Sequence, residues 1–405
     1  MAVTFARGFR AGTAACGIKA FTAGASAIPT DQRDDLCVIH SARSCDTGGV
    51  FTTNKVKSAS VVIDQLHLQR NRVQALTINS GNANACTGAQ GFKDALLMAQ
   101  LSADRLDLDP DQVLVSSTGV IGRYLPMTAV KSGIAQACES LSAEAGEAAA
   151  RAIMTTDTKP KTAQVEVDLG GIPVRIGGMC KGSGMIHPNM ATMLAYITTD
   201  AAVEAGLMAG MVGPVANRSF NLVSIDGDSS TNDSFLILAN GAAGNEPVRA
   251  GTVEAERLEA GLTQVAKELS RAIARDGEGA TRLITVRVQD AASDADARLA
   301  ARAVASSSLV KTAVHGGDPN WGRIVCALGY SGAELALDRL HLMVGGLVVF
   351  ERGSGVDVDL AAVRRAFEQP EIEIVANLGL AEGSAESWGC DLSEEYVRIN
   401  ADYTT

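Results

Sequence analysis

The chain has 405 residues, a length that at ~150 residues per domain predicts two or three structural units or one large one. Its 35 basic and 46 acidic residues give a net charge of −11, which argues against a protein that binds nucleic acid or an anionic membrane, because polyanion binding needs a basic surface. Hydrophobic residues make up 46% and charged residues 20%, a balance typical of a globular protein and not of a disordered one.

The N-terminal segment bears only a faint likeness to a targeting peptide. It carries Arg7, Arg10 and Lys19 with no acidic residue before Asp31, but it lacks the apolar stretch of a secretory signal. No apolar run reaches the ~20 residues of a membrane span. The eight cysteines form no C-x-x-C pair, so we expect reduced thiols, no zinc site and a cytoplasmic location.

Helix-like and strand-like segments alternate along the chain, which predicts an α/β (α+β) fold. A strand beginning at Val113 ends in Ser-Ser-Thr118-Gly119. Alternating residues on both sides of Gly170-Gly171 predict a hairpin, because paired glycines supply the positive φ of a tight turn. A glycine-rich stretch follows, and residues 192–199 again resemble a strand. No linker marks a domain boundary, so we expect one compact body.

The second half contains two clear helices with a strand between them. Apolar residues at helical spacing predict a helix over 258–273 that ends at Asp276-Gly277. Alternation over 284–288 predicts a half-buried strand. Ser293, followed three residues later by Asp296, predicts the start of the second helix by capping-box spacing.

The segment Lys181-Gly-Ser-Gly-Met-Ile-His-Pro-Asn-Met-Ala-Thr192 allows two chemical interpretations. A phosphate cradle is disfavoured, because Cys180 precedes the lysine and a strand follows where a P-loop needs a helix. The alternative is a nucleophile. If the chain were cut between Ala191 and Thr192, the new α-amine, with a pKa of ~7.7–8.0, would be a base for the hydroxyl of the same residue. By itself the pattern is weak, since Ala-Thr before a strand is common.

Two further polar segments give weaker signals. The strand exit at Thr118-Gly119 could direct a hydroxyl and a backbone N–H at a developing oxyanion. The acidic segment that begins at Asp226 fails as a calcium loop, because Thr231 and Ile237 occupy the positions that require Gly and Glu. A turn built on side-chain hydrogen bonds is the better interpretation of that segment.

Taken together and in this order, the motifs of the chain resemble the ornithine acetyltransferase (glutamate N-acetyltransferase) family of arginine biosynthesis. Each motif is moderately specific, and the ordered set, which spans nearly the whole chain, is strongly specific. The motifs are Asn79-Ser-Gly-Asn-Ala-Asn-Ala-Cys-Thr-Gly88, Ser116-Ser-Thr-Gly-Val-Ile-Gly122, Thr155-Thr-Asp-Thr158, the segment Lys181 to Leu194, Asp226-Gly-Asp-Ser-Ser-Thr-Asn-Asp233, Gly317-Asp-Pro-Asn-Trp-Gly-Arg323 and Ile399-Asn-Ala-Asp-Tyr-Thr-Thr405.

The resemblance implies a precursor that cleaves itself between Ala191 and Thr192 into chains of 191 and 214 residues, 1–191 and 192–405, which share one core. It implies a layered αββα sandwich of the ornithine acetyltransferase/DmpA-like type. Thr192 would take an acetyl group from N2-acetyl-L-ornithine and pass it to L-glutamate in a ping-pong cycle. Thr118 and Gly119 would form the oxyanion hole.

Six residues match the substrate-contacting positions of the family: Thr155, Lys181, Thr192, Glu278, Asn400 and Thr405. Lys181 offers a point charge for an α-carboxylate, and Glu278 could hold an amino group or shuttle a proton. The resemblance implies an assembly of two copies of each chain with no metal and no cofactor, and it leaves open whether acetyl-CoA is a second donor. The chain departs from the family pattern at His187, a loop position where a small residue is expected. This histidine could tune the pH dependence or the cleavage rate of the site, or it could point to solvent.

Two other function classes stay open on the sequence alone. A hydrolase with the same chemistry, such as an aminopeptidase or amidase, would pass the acyl group to water. A glycine-rich anion-binding module would neither cleave itself nor turn over a substrate. A transferase must exclude water and bind an amine acceptor, and the amino-acid-contacting residues favour it.

Overall fold

Residues 2–19, 34–187 and 193–402 are described by the structure, a computed structural model. The strands are β1 (Phe9–Ala14), β2 (Leu36–Phe51), β3 (Val73–Asn82), β4 (Val113–Val120), β5 (Lys161–Leu169), β6 (Ile172–Lys181), β7 (Leu194–Thr199), β8 (Val223–Ser224), β9 (Ser234–Ala239), β10 (Leu283–Ala291), β11 (His341–Val344), β12 (Leu347–Glu351), β13 (Ser354–Gly355), β14 (Glu371–Asn377) and β15 (Gly383–Cys390). The helices are α1 (Ala59–His67), α2 (Gly88–Leu106), α3 (Met127–Glu139), α4 (Gly146–Ala152), α5 (Leu207–Asn217), α6 (Val253–Arg275), α7 (Asp294–Ser306), α8 (Ser308–Gly316), α9 (Trp321–Gly329), α10 (Leu360–Phe367) and α11 (Glu394–Asp402).

The first sheet has the strand order β4-β3-β2-β9-β7-β6-β5, with β1 added beside β2. Strand β2 is shared by two halves of this sheet. Its residues from Leu36 to Cys45 pair with β1 and β3, and its residues from Asp46 onward pair with β9. Side chains from both halves, such as Leu76 and Tyr196, belong to one apolar core, so the halves pack face to face.

Helices cover the outer face of each half. Helices α1, α2 and α3 pack on the half that contains β3 and β4, where Met98 and Ile134 share a core with Val115. Helices α5 and α6 pack on the half that contains β6, β7 and β9, where Leu262 shares a core with Ile197. This helix–sheet–sheet–helix order confirms the α/β class and the αββα layering.

The second sheet has the strand order β13-β12-β11-β14-β10-β15-β8. One of its faces packs against helices α7 to α10 around a core that includes Val286, Val304 and Ile374. The start of β10 and the end of β15 join the core around α6 instead, and α6 contacts strands of both sheets. Helix α6 therefore connects the second sheet to the αββα sandwich.

The local sequence predictions are confirmed. Strands β5 and β6 form the predicted hairpin, and Gly170 and Gly171 have φ of +65° and +86°. The predicted helix lies within α6, and Ser293 caps α7 by accepting a hydrogen bond from the Asp296 backbone N–H. The strand expected over 192–199 is present from Leu194. Within the described ranges, no helix combines the length and the apolar character that crossing a membrane requires.

Candidate active site

A cleft of about 270 Å³ opens where β4 and β6 end, next to the loop that follows β8 and to helix α11. Six of the residues singled out from the sequence line this cleft although they are scattered over the chain. They are Thr118, Gly119, Thr155, Lys181, Glu278 and Asn400. The fold therefore gathers into one place side chains that come from a strand exit, two loops, a second strand end and the C-terminal helix.

Three other predicted site residues, Ala191, Thr192 and Thr405, lie outside the described residues. Met193, which follows the predicted nucleophile, lines the cleft. Its carbonyl accepts a hydrogen bond of 3.0 Å from the Ser234 backbone N–H. The next residue, Leu194, pairs with Lys181 on one side and with Ser234 on the other, so the chain enters the centre of the sheet at once.

The strand exit at Thr118 and Gly119 is shaped by close contact between backbones. Strands β3 and β4 are parallel, so both end at the same edge of the sheet. Gly119 has φ of +131°, and a Cβ there would overlap the Gly81 backbone. Only glycine fits at this position, because any side chain would collide with the backbone of the neighbouring strand.

Lys181 is the buried cation of the cleft. It is 9% exposed, and its Nζ donates to Thr118 Oγ1 over 3.4 Å. Burial lowers its pKa, because desolvation disfavours the ammonium form, while the nearby Asp157 carboxylate acts in the opposite direction. A buried lysine aimed at a hydroxyl-lined cleft can neutralise the carboxylate of an amino-acid substrate.

Glu278 and Asn400 form a second polar wall. The Glu278 backbone N–H donates to the Ser183 carbonyl over 2.8 Å, and Asn400 Nδ2 donates to Glu278 Oε2 over 2.8 Å. Gly184 lies directly against the Glu278 carboxyl group, where a Cβ would overlap it. The C-terminal helix therefore returns to the cleft and holds an acidic side chain in place there.

Sequence reasoning missed the role of Asp226 and Tyr396. Asp226 accepts hydrogen bonds from the backbone N–H groups of Met185 at 2.5 Å and Ile186 at 2.8 Å, and Tyr396 donates its hydroxyl to the same carboxylate over 3.3 Å. Burial raises the pKa of Asp226. The turn interpretation of this segment was right but incomplete. The acidic motif of this segment could have indicated a role for Asp226, whereas nothing in the sequence pointed to Tyr396.

Asn232 and Asp233 end the polar segment that begins at Asp226, and no role for them could be predicted from the sequence. Asn232 Nδ2 donates to the Ala83 carbonyl at 2.6 Å and to the Ser117 carbonyl at 2.8 Å, which ties the start of β9 to the exits of β3 and β4. Asp233 is buried, and its Oδ2 has no hydrogen-bond partner among the described residues. Burial raises its pKa well above the usual range. Both residues line the cleft.

His187 is half-buried and does not simply point to solvent. Its Nδ1 lies 2.9 Å from Ser224 Oγ, and Arg302 donates to its Nε2 over 2.9 Å. Because the arginine can only donate, Nε2 accepts and Nδ1 carries the proton. Burial, followed by the neighbouring Arg302, lowers the pKa of His187 to about 4. The imidazole thus connects the loop before residue 192 to β8 and α7.

Hydroxyls, a buried ammonium and a held carboxylate, gathered at the strand ends of an αββα sandwich, define a site of the kind that acyl-transfer enzymes use. The sequence model of the ArgJ family matches residues 10–405, and the chain belongs to this family. This result confirms the resemblance seen in the motifs. It makes the chain an acyltransferase of arginine biosynthesis in preference to a hydrolase.

Individual relatives agree with this assignment. The chain is 48% identical to the arginine biosynthesis bifunctional protein ArgJ of Symbiobacterium thermophilum, over 100% of this chain and 98% of that protein. It is 45% identical to the protein of the same name from Dehalococcoides mccartyi, over 100% of this chain and 97% of that protein. A crystal structure of ArgJ from Bacillus halodurans is 39% identical with a TM-score of 0.51, and the match covers 52% of this chain and 100% of that chain.

Proposed function

We propose that this protein transfers an acetyl group from N2-acetyl-L-ornithine to L-glutamate, yielding ornithine and N-acetylglutamate in the cyclic route of arginine biosynthesis. The observation that carries the proposal is that Thr118, Gly119, Thr155, Lys181, Glu278 and Asn400 line a single cleft. Both substrates are amino acids. A cleft that pairs a buried ammonium with a carboxylate suits ligands of that charge pattern.

The proposed chemistry begins with hydrolysis of the peptide bond between Ala191 and Thr192, in which water supplies the hydroxyl of the new Ala191 carboxyl group and a proton of the new Thr192 amine. The freed α-amine takes the proton of the Thr192 hydroxyl as its oxygen attacks the acetyl carbonyl. The amide bond of acetylornithine breaks, and ornithine leaves with the transferred proton. The glutamate amine then attacks the acetyl-threonine ester, which yields N-acetylglutamate and restores the hydroxyl. Met193 lines the cleft, which supports this placement of the nucleophile.

Each cleft residue takes a role in this proposal. The Thr118 hydroxyl and the Gly119 N–H stabilise the oxyanion of the tetrahedral intermediate. Lys181 binds a substrate carboxylate, and Glu278 binds an amino group, held in position by Asn400. Thr155, together with Thr192 and Thr405, completes the substrate contacts. No metal or bound cofactor takes part in the proposed steps.

Two features support division of the precursor into two chains that share a core. The apolar cores of the sandwich contain residues from both sides of the proposed cleavage site, such as Ile176 and Leu262 in one core and Leu76 and Tyr196 in another. The solved chain from Bacillus halodurans is matched in full by 52% of this chain, about 210 residues. That length is close to the 191 and 214 residues of the proposed chains.

Intact-mass analysis of the purified protein tests the cleavage. We expect two species whose masses correspond to residues 1–191 and 192–405, and a single full-length species from Thr192→Ala. Thr162→Ala is the matched control, because Thr162 is an exposed residue of β5 and does not line the cleft. A single uncut species from the unmutated protein, with full activity, would overturn the proposed mechanism.

The acceptor requirement separates transfer from hydrolysis. With acetylornithine alone, a transferase should release only about one ornithine per active site, and continuous release should need glutamate. An aminopeptidase or amidase would release ornithine continuously without glutamate. Initial rates with both substrates varied should give the parallel lines of a ping-pong cycle.

Acetyl-CoA is a second candidate donor of the acetyl group. Because the relatives carry the name bifunctional protein, we propose that acetyl-CoA also donates to glutamate, as a co-substrate and not as a bound cofactor. Incubation of the protein with glutamate and acetyl-CoA should yield N-acetylglutamate and free CoA. Formation of no product would restrict the chain to acetylornithine.

We also propose that two copies of each cleaved chain assemble into a heterotetramer in the cytoplasm. None of the eight cysteines is in a disulfide, which agrees with a reducing compartment. Light scattering of the purified protein should give twice the mass of one pair of chains. A mass equal to one pair would disprove the assembly.

A further inference from the structure

A buried ion pair, Asp157 with Lys161, lies behind the cleft, and neither of its two residues lines the cleft. We propose that Asp157 and Lys161 are positioning residues that align the segments carrying Thr155, Lys181 and Glu278. This inference rests on the proposed function, since it treats those three residues as the substrate contacts.

Asp157 connects two of the three segments through backbone hydrogen bonds. Its Oδ2 accepts from the Thr155 N–H at 3.0 Å, and its Oδ1 accepts from the Gly182 N–H at 2.7 Å. Gly182 directly follows Lys181 at the end of β6. One carboxylate therefore fixes the spacing between the loop before β5 and the end of β6, and with it the spacing between two cleft residues.

Lys161 extends the connection to the third segment. Its Nζ lies 2.6 Å from Asp157 Oδ1 and 2.6 Å from Asp276 Oδ2. Asp276 caps the C-terminal end of α6 and stands two residues before Glu278. It also accepts hydrogen bonds from the Thr158 backbone N–H and hydroxyl. The ammonium of Lys161 thus joins the end of α6 to the carboxylate that holds the other two segments.

The cost of this arrangement favours a role beyond stability. The side chains of Asp157 and Lys161 are 0% and 2% exposed, so both charges are removed from water. Apolar residues of similar volume often replace such a pair at no cost or with a gain in stability. What an apolar pair could not provide is three directed hydrogen bonds, two to backbone N–H groups and one to the Asp276 carboxylate of the third segment.

Asp157 also acts on the charge of Lys181. The charged groups that face Lys181 are Asp157, Lys161, Glu278, Asp233 and Lys19. Burial lowers the pKa of Lys181, and Asp157 opposes that effect. Neutralising Asp157 should therefore lower the pKa of Lys181 further, so that its ammonium form is lost at a lower pH.

Steady-state kinetics of Asp157→Asn and Lys161→Met test the proposal, with Asp168→Asn and Lys159→Met as matched controls on exposed sites of the same region. We expect kcat/KM for both substrates to fall between about 10- and 100-fold, mainly through a higher KM, because small displacements of positioning groups have effects of that size. In Asp157→Asn the alkaline limb of the kcat/KM profile should also move to lower pH. The controls should match the unmutated protein.

Folding is monitored by circular dichroism, and Asp276→Asn provides a second test if Asp157→Asn does not fold, since the Asp276 side chain is less buried. The Asp276→Asn variant should raise KM with little change in kcat. Folded variants with unchanged KM and an unchanged pH profile would show that the pair is only structural and overturn the proposal. Absence of acetyl transfer in the unmutated protein would instead refute the proposed function, and this inference with it.

Discussion

The cleft and the core of the second sheet differ in the kind of side chain that they bury. Behind and around the cleft, Asp157, Lys161, Lys181 and Asp233 are all buried, and each must find partners or shift its pKa. The core between the second sheet and helices α7 to α10 is built mainly from apolar side chains, and the one buried lysine of α8, Lys311, donates to the Cys390 carbonyl. Charged pairs on that sheet, such as Arg287 with Glu373, lie on its exposed face.

The difference separates residues that maintain activity from residues that maintain stability. Buried charge is costly, and a partly satisfied polar network is less stable than an apolar core of the same size. Substitutions at the cleft should therefore reduce turnover more than stability. Substitutions in the core of the second sheet should do the reverse.

The largest effect is expected at Lys181. Lys181→Met removes the buried ammonium that we assign to a substrate carboxylate, and kcat/KM should fall about 100-fold or more, because truncating one partner of a buried charge pair costs about 2–5 kcal/mol. The melting temperature should change less than activity does, because Asp157 keeps its ion pair with Lys161 and burial already disfavours the ammonium form of Lys181. Steady-state kinetics and thermal unfolding provide the two measurements.

Lys267→Met is the control for that substitution. Lys267 belongs to α6, is 41% exposed in its side chain and pairs with Glu386 over 3.7 Å. Its loss should leave kcat/KM unchanged and alter stability by less than about 1 kcal/mol. Equal loss of activity in both variants would show that the cleft has no special dependence on its buried lysine.

The reverse pattern is expected at Ile374, a fully buried residue in the core of the second sheet. Ile374→Ala should lower the free energy of unfolding by about 2–5 kcal/mol through lost burial and the cavity left behind, and Ile374→Val by about 0.5–1.5 kcal/mol. Chemical denaturation measures both values. The folded variants should keep the kcat and KM of the unmutated protein. A raised KM would mean that packing in the second sheet controls the cleft.

A smaller effect on activity is expected at Gly184. The added Cβ of Gly184→Ala would overlap the Glu278 carboxyl group, the flexible end of a side chain, so the carboxyl should move without unfolding the protein. We expect about a tenfold rise in KM, within the range that displaced positioning groups produce. Gly210→Ala in α5 is the control, because its added Cβ would meet no heavy atom within 4 Å apart from the neighbouring backbone of its own helix. It should retain full activity.

The sequence was most informative where local rules or ordered motifs apply. Gly170-Gly171 predicted a hairpin and Ser293 predicted a helix start, because turn and cap preferences depend on neighbouring residues. The αββα layering followed only from the family resemblance. The contact of Asp226 with Tyr396, which joins residues 170 positions apart, could not be predicted. Residue types and spacing carry no information on such distances.

His187 gives the smallest expected effect and the most direct measurement of the environment before residue 192. Burial and Arg302 lower its pKa from the usual 6.5 to about 4. The unfolded chain therefore binds a proton at a higher pH than the folded protein does. The stability that the neutral imidazole contributes is complete above pH 6.5 and is lost as the pH falls towards 4. Because the ring is partly exposed, solvent screens part of this effect.

Thermal unfolding between pH 7.5 and pH 4 tests this on the unmutated protein and on His187→Gln, with His341→Gln in β11 as the control. The variant should lose less stability than the unmutated protein between pH 6.5 and pH 4, because its side chain cannot bind a proton there. His341→Gln should follow the unmutated protein. Parallel curves for all three would mean that His187 titrates normally in the folded protein, and that the hydrogen bond from Arg302 does not hold it neutral.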